Sequence, residues 1–283
     1  MTRAFFRHWL GAFRDGWAVW RTMPLLVAAM IGIELAQHAV ELHLGFFSLD
    51  KAVRRAAPED PLRMMFWWPK MLTVYAVAFF TTRWLITRDV RATFRPPVEA
   101  LRRYAFVVLF LGIPAAAMIH ARAILPVLGL GESDLLTFRM IFGLFALLAE
   151  PLLLLWFVNA AMGTSAYGPA QSAKTTRWLY VWALMLLFVT RVPVSQLHAG
   201  LNAWPAGQTP LVQWAMFALD ALVVGVLTVI VPAVQVRIAS FIADRRKAEL
   251  LGNSQPRFGQ PHRTSVWRGH KQSVKSERAL RLS

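Results

Sequence analysis

Six stretches of the chain stay apolar long enough to suggest passage through a lipid bilayer. A membrane span needs about 20 mostly apolar residues, and the windows fall at 24–44, 70–87, 104–125, 136–162, 178–198 and 212–236. The last four, among them FVVLFLGIPAAAMI and FGLFALLAEPLLLLWFV, are apolar all round, with no polar stripe of the kind a soluble surface helix carries. The second, MLTVYAVAFFTTRWLIT, is short, and its apolar character begins as early as Phe66. The first is interrupted by IELAQHAVELH. Prolines 114, 151, 193 and 232 recur once in each late window, but their flanks do not match, so no internal repeat is read.

The segments between the windows have patterns of their own. In residues 1–23, Phe6, Trp9, Phe13, Trp17 and Trp20 recur at helical spacing with Arg3, Arg7 and Arg14 mostly between them. That predicts an amphipathic helix at the membrane interface. Its long aromatic opening, with Glu34 and His38 close behind, argues against a cleaved signal peptide. Residues 45–69 form the one sizeable loop on the far side, with Trp67 and Trp68 suited to an aromatic belt. Beyond about residue 244 the chain turns polar, basic and aperiodic, the pattern of a disordered tail. The expected organisation is therefore 1–23 interfacial helix, 24–243 six-helix transmembrane domain and 244–283 basic tail, in an all-α fold.

Composition changes the picture chiefly by placing the charge. The chain of 283 residues is 57% hydrophobic and 16% charged, with net charge +16; mean hydropathy is +0.45 and pI about 11.4. A soluble domain is about 25% charged. If the N-terminus is cytoplasmic, the inner segments hold four, five, two and ten Lys or Arg, against four, none and none outside. The positive-inside rule then predicts both termini inside, in a bacterial-type inner membrane. The basic excess is expected to face anionic lipid. It is spread over four segments, so nucleic acid is not expected as a partner. The absence of cysteine excludes disulfides, Cys-ligated metals and thiol catalysis.

The candidate chemistry lies in the first window. On a helical wheel with Glu34 at zero, His38 falls near +40°, Glu41 near −20° and Gln37 near −60°, so four polar side chains share one face. Ala28, Gly32 and Ala36 form a small-residue stripe behind it, which predicts close approach of another helix and a central place for this span. Counting depth along the other windows puts Arg191, Asp220, His120, Arg122 and Arg139 in the same outer half as Glu41. Glu34 lies near the midplane and Glu150 somewhat below it. Depth alone pairs Arg191 with Glu34 or Asp220, and Glu41 with Arg122 or Arg139.

The candidate ligand- or proton-binding set is therefore Glu34, His38, Glu41, His120, Arg191 and Asp220, supported by Gln37, Arg122, Arg139 and Glu150. Four uses are open to it. It could be interhelical glue, a path for a proton, ion or small polar solute, a metal site, or a centre for chemistry on lipid. The metal reading is weak. Glu34, His38 and Glu41, completed by His120, depart from the Glu-x-x-His spacing of bundle metal sites. No metalloprotease pair, nucleophile elbow, Walker loop or dinucleotide fingerprint occurs, and no cofactor is expected. The leading expectation is a transporter- or permease-like protein, followed by a membrane scaffold, alone, as a homo-oligomer or with a membrane-protein partner. Third comes a lipid-acting enzyme. A transporter predicts a cavity reaching Glu34; a scaffold predicts direct contact between Glu34 and Arg191.

Overall fold

In the computed structural model of the protein, residues 2–245 are described, and every regular element among them is helical. The α-helices are α1 (Thr2–Thr22), α2 (Pro24–His43), α3 (Lys51–Ala56), α4 (Pro61–Thr87), α5 (Val90–Phe94), α6 (Val98–Ile119), α7 (Ala121–Ile124), α8 (Leu135–Met162), α9 (Pro169–Thr176), α10 (Tyr180–Ala203) and α11 (Pro210–Arg245). Five stretches are long and apolar enough to cross a membrane: Pro24–His43, Val98–Ile119, Glu132–Met162, Pro169–Ala203 and Pro210–Arg245. The helix α4 has the length, 27 residues, but carries Arg63, Lys70 and Arg83 and is not among them. The basic tail expected from residue 244 lies, from 246 onward, outside the described residues.

Local chemistry explains where the helices begin and end. Asp60 caps α4, its Oδ1 accepting from the Leu62 amide at 2.8 Å, with Pro61 in the first turn where a missing N–H does no harm. Asp89 caps α5 in the same way, accepting from Arg91 at 2.7 Å. Gly163 ends α8 at φ +78°, a left-handed conformation that glycine adopts without penalty. A Cβ there would lie 3.0 Å from the Ala100 amide, so the same glycine lets the end of α8 close on the start of α6. The helices α6, α8, α10 and α11 all continue through their prolines.

The centre of the bundle is α11, which packs against α1, α2, α4, α8 and α10, while α6 lies against α8. This corrects the expectation that the first span is central. In the apolar window of α2, 28% of residues are buried, against 61% in that of α11. The small stripe of α2 does not seat a helix: Ala28, Gly32 and Ala36 are exposed, and a Cβ on Gly32 would meet nothing within 4 Å. The polar face packs inward instead, against α4 and α11.

The N-terminal helix has two faces. Phe6, Leu10, Phe13 and Trp17 are exposed, whereas Gly11, Ala12, Asp15, Gly16 and Val19 are buried where α1 packs on α11. Asp15 Oδ2 accepts from Arg237 Nε at 2.7 Å, and a Cβ on Gly16 would come within 2.9 Å of Ile230 Cγ1. Aromatic periodicity thus marked the outward face, and small residues between the aromatics form the docked one. His8 lies against the rings of Trp182 and Phe241. Burial, with Arg237 and Arg7 nearby, lowers its pKa to about 4.

Candidate functional site

Two polar regions lie inside the bundle. The first is built on the inward face of α2, whose turn-by-turn spacing aligns Glu34, His38 and Glu41. These side chains, and Asp220 from α11, are at most 2% exposed. His38 bridges the two helices: Nε2 lies 2.9 Å from Asp220 Oδ2 and Nδ1 3.3 Å from Glu41 Oε2. Its ring stacks on Phe217 at 4.7 Å between centroids. Asp220 also receives His198 Nδ1 at 2.7 Å and Asn202 Nδ2 at 3.1 Å, both from α10.

The cations of this region come from α4. Lys70 Nζ donates to Glu34 Oε1 at 2.8 Å, and Arg63 Nε donates to Glu41 Oε1 at 2.8 Å. Gln37 Nε2 donates to the same Glu41 oxygen at 2.8 Å. Neither depth-based pairing survives. Arg191 pairs with neither Glu34 nor Asp220. Arg122 bonds Glu59 and Glu132 instead of Glu41, and Arg139 Nε donates to the Met118 carbonyl. The reason is geometric: depth along a helix says nothing about the direction in which a side chain leaves it. Long basic stems on α4 reach across to carboxylates on α2.

Hydrogen-bond roles limit how this arrangement can be protonated. An ionised carboxylate only accepts hydrogen bonds, and an imidazole donates through both nitrogens only as the cation. Both ring nitrogens of His38 face carboxylates, so either the ring or one facing carboxyl carries an extra proton. Charge agrees: Glu34, Glu41 and Asp220 face two fixed cations, Lys70 and Arg63, and one further proton makes that set neutral. Glu34, His198 and Asp220 also place three potential ligand atoms within 4.8 Å of one another. This set differs from the Glu34, His38, Glu41 and His120 combination read from spacing. His120 is elsewhere, stacked on Trp68 at the end of α6.

The second region lies between α8, α10 and α11. Glu150 is held bidentately by Arg191, with Nη2 donating to Oε1 at 2.7 Å and Nη1 bonding Oε2. Gln235 Nε2 adds a third bond to Glu150 Oε1 at 2.7 Å. This group borders a cavity of about 260 Å³ whose wall includes Tyr75, Tyr104 and Phe157. Neither tyrosine hydroxyl has a hydrogen-bond partner among the described residues. Glu34 lines neither this cavity nor the larger groove at the end of the bundle. The smaller of these two cavities borders Glu150 and Arg191, and the Glu34–Arg191 contact expected of a scaffold does not form: Arg191 bonds Glu150.

Several contributors carried little sequence signal. Lys70 and Arg63 sit at or beyond the edge of the second window and look like flanking charge. His198, Asn202 and Gln235 are single polar residues at or just past the ends of the apolar windows; Asn202 and Gln235 bond i−4 or interhelical groups that periodicity does not mark. The buried Arg83 donates to the carbonyls of Ala161, Thr93 and Ala92 at 2.9, 3.2 and 2.8 Å, tying the end of α8 and the short α5 to α4. No family model, curated protein or solved structure matches the chain.

Proposed function

We propose that this membrane protein is a proton-linked carrier of a small solute, crossing a bacterial-type inner membrane six times with both termini cytoplasmic. The observation that carries this reading is His38, fully buried, with one ring nitrogen on Glu41 and the other on Asp220. A dissociable proton is thereby shared between two helices that could move relative to one another. Support for α4 as the sixth span comes from its charges: Lys70 is turned to Glu34 and Arg83 to backbone carbonyls, so neither needs lipid. At about 40 Å for 27 residues it has ample length. The cavity at Glu150 and Arg191 is the solute site in this scheme, with an apolar wall and a polar end.

Proton counting tests it. Purified protein in detergent is titrated with a pH-sensitive dye between pH 5 and 9, beside His38→Gln. One proton fewer should exchange in the variant. Equal exchange in the two proteins would remove the proposal's basis. A scaffold is the second reading, favoured by the direct ion pairs that tie α2 to α4, Lys70 to Glu34 and Arg63 to Glu41. It predicts that His38→Gln loses thermal stability and that no solute protects the cavity residues Tyr75 and Tyr104 from chemical labelling.

A further inference from the structure

At the end of the bundle away from Pro24, a groove of about 860 Å³ opens between α3, α4, the end of α6 and the start of α8. Five arginines line it: Arg54, Arg55, Arg63, Arg122 and Arg139, against one acid, Glu59. Arg63 is committed to Glu41, and Arg122 to Glu59 and Glu132. Arg54, Arg55 and Arg139 have no carboxylate partner among the described residues. Below this rim the groove is apolar, with Met64, Met71, Met118 and Ile119 in its wall. Trp68, 48% exposed, stacks on His120 beside it, as an interfacial aromatic should.

The placement of these arginines runs against the rest of the chain. In the segments that charge asymmetry assigns to the outside, 126–135 and 199–211 hold no Lys or Arg. The loop 45–69 holds four, and three of them, Arg54, Arg55 and Arg63, converge on this groove. Topology gains nothing from them there. A guanidinium fork fits phosphate oxygens, and thioether and aliphatic walls fit acyl chain. A soluble anion would use the first and have no use for the second.

We propose that the groove seats the phosphate headgroup of an anionic phospholipid, held by Arg54, Arg55 and Arg139, with its chains running over the methionine-rich wall. The test is calorimetric titration of the full-length protein in nonionic detergent with dioctanoyl-phosphatidylglycerol. Dioctanoyl-phosphatidylcholine and inorganic phosphate are run in parallel. The triple variant Arg54→Gln, Arg55→Gln, Arg139→Gln should bind phosphatidylglycerol about tenfold more weakly, and the matching Arg→Lys triple, which keeps the charge but not the fork, should fall between it and wild type. The basic residues after 245 are present in every protein and set the baseline. The proposal fails if the glutamine triple binds as wild type does, if phosphatidylcholine binds equally, or if inorganic phosphate alone binds as tightly. The last result would mean a free-anion site. The Arg54 and Arg55 side chains bond no other described group, whereas Arg139 donates to the Met118 carbonyl, so the Arg54→Gln, Arg55→Gln double variant should keep the wild-type melting temperature. A lower one would assign them a structural role and also overturn the proposal.

Discussion

The two polar regions solve the same problem in opposite ways. Around His38, three carboxylates, two histidines and two long cations fill their own space, walled by Phe217 and Phe47. Around Glu150, one carboxylate is matched by one arginine and one amide, and the space beside them stays open. Charge density therefore did not mark the cavity. A dense cluster inside a bilayer must neutralise itself, because a lone ion at midplane costs about 3 kcal/mol or more, and the neutralising side chains occupy the room. A single bidentate pair is satisfied by two side chains and leaves volume for something else.

That contrast can be broken experimentally, and the largest effect should come from Arg191. Arg191→Ala strands a Glu150 carboxylate that is 6% exposed, which should cost about 3–5 kcal/mol and lower the melting transition of the solubilised protein sharply. An unchanged transition would mean that Glu150 is neutral or solvated. Arg83→Ala removes donors from three carbonyls and should cost about 2–3 kcal/mol, read in the same assay. Glu34→Gln should be milder, about 1–2 kcal/mol, because Lys70 is 18% exposed and its flexible stem can carry the freed ammonium outward. A loss as large as that of Arg191→Ala would make the two regions energetically alike. Tyr104→Phe, beside the open cavity, should change stability by less than about 0.5 kcal/mol, since its hydroxyl bonds no group among the described residues.

A different kind of effect belongs to His8 and is read in pH. Its folded pKa of about 4 lies below the ordinary 6.5, so the unfolded chain binds more protons between those values. Stability from the neutral ring is complete above about pH 6.5 and is lost as pH falls towards 4. His8→Phe should flatten the melting-temperature profile in that window relative to wild type. Parallel profiles would show that the ring titrates normally.

Much of this was legible residue by residue. The alignment of Glu34, Gln37, His38 and Glu41 needed only a helical wheel, and all four turn to the same inward side. The exposed aromatic face of α1 was equally plain, but its docked face was not: Gly11, Ala12 and Gly16 are silent in a hydrophobic pattern and speak only when α11 is beside them. The stripe of Ala28, Gly32 and Ala36 failed for the converse reason. Small residues permit close packing without requiring it, and no described helix approaches this stripe of α2.

What the sequence determined by itself is what depends on distance along the chain. Apolar length marked the long membrane helices, turn spacing marked the polar face of α2, and rise per residue put Asp220 near the level of His38. Only the tertiary structure decided which charges meet. Rotation about each helix axis, and the reach of stems such as Lys70 and Arg63, sent Arg191 to Glu150 and left Glu34 to a lysine that local pattern had placed at a helix edge. Depth is a one-dimensional quantity that a sequence carries; direction around the axis is set by what each helix packs against.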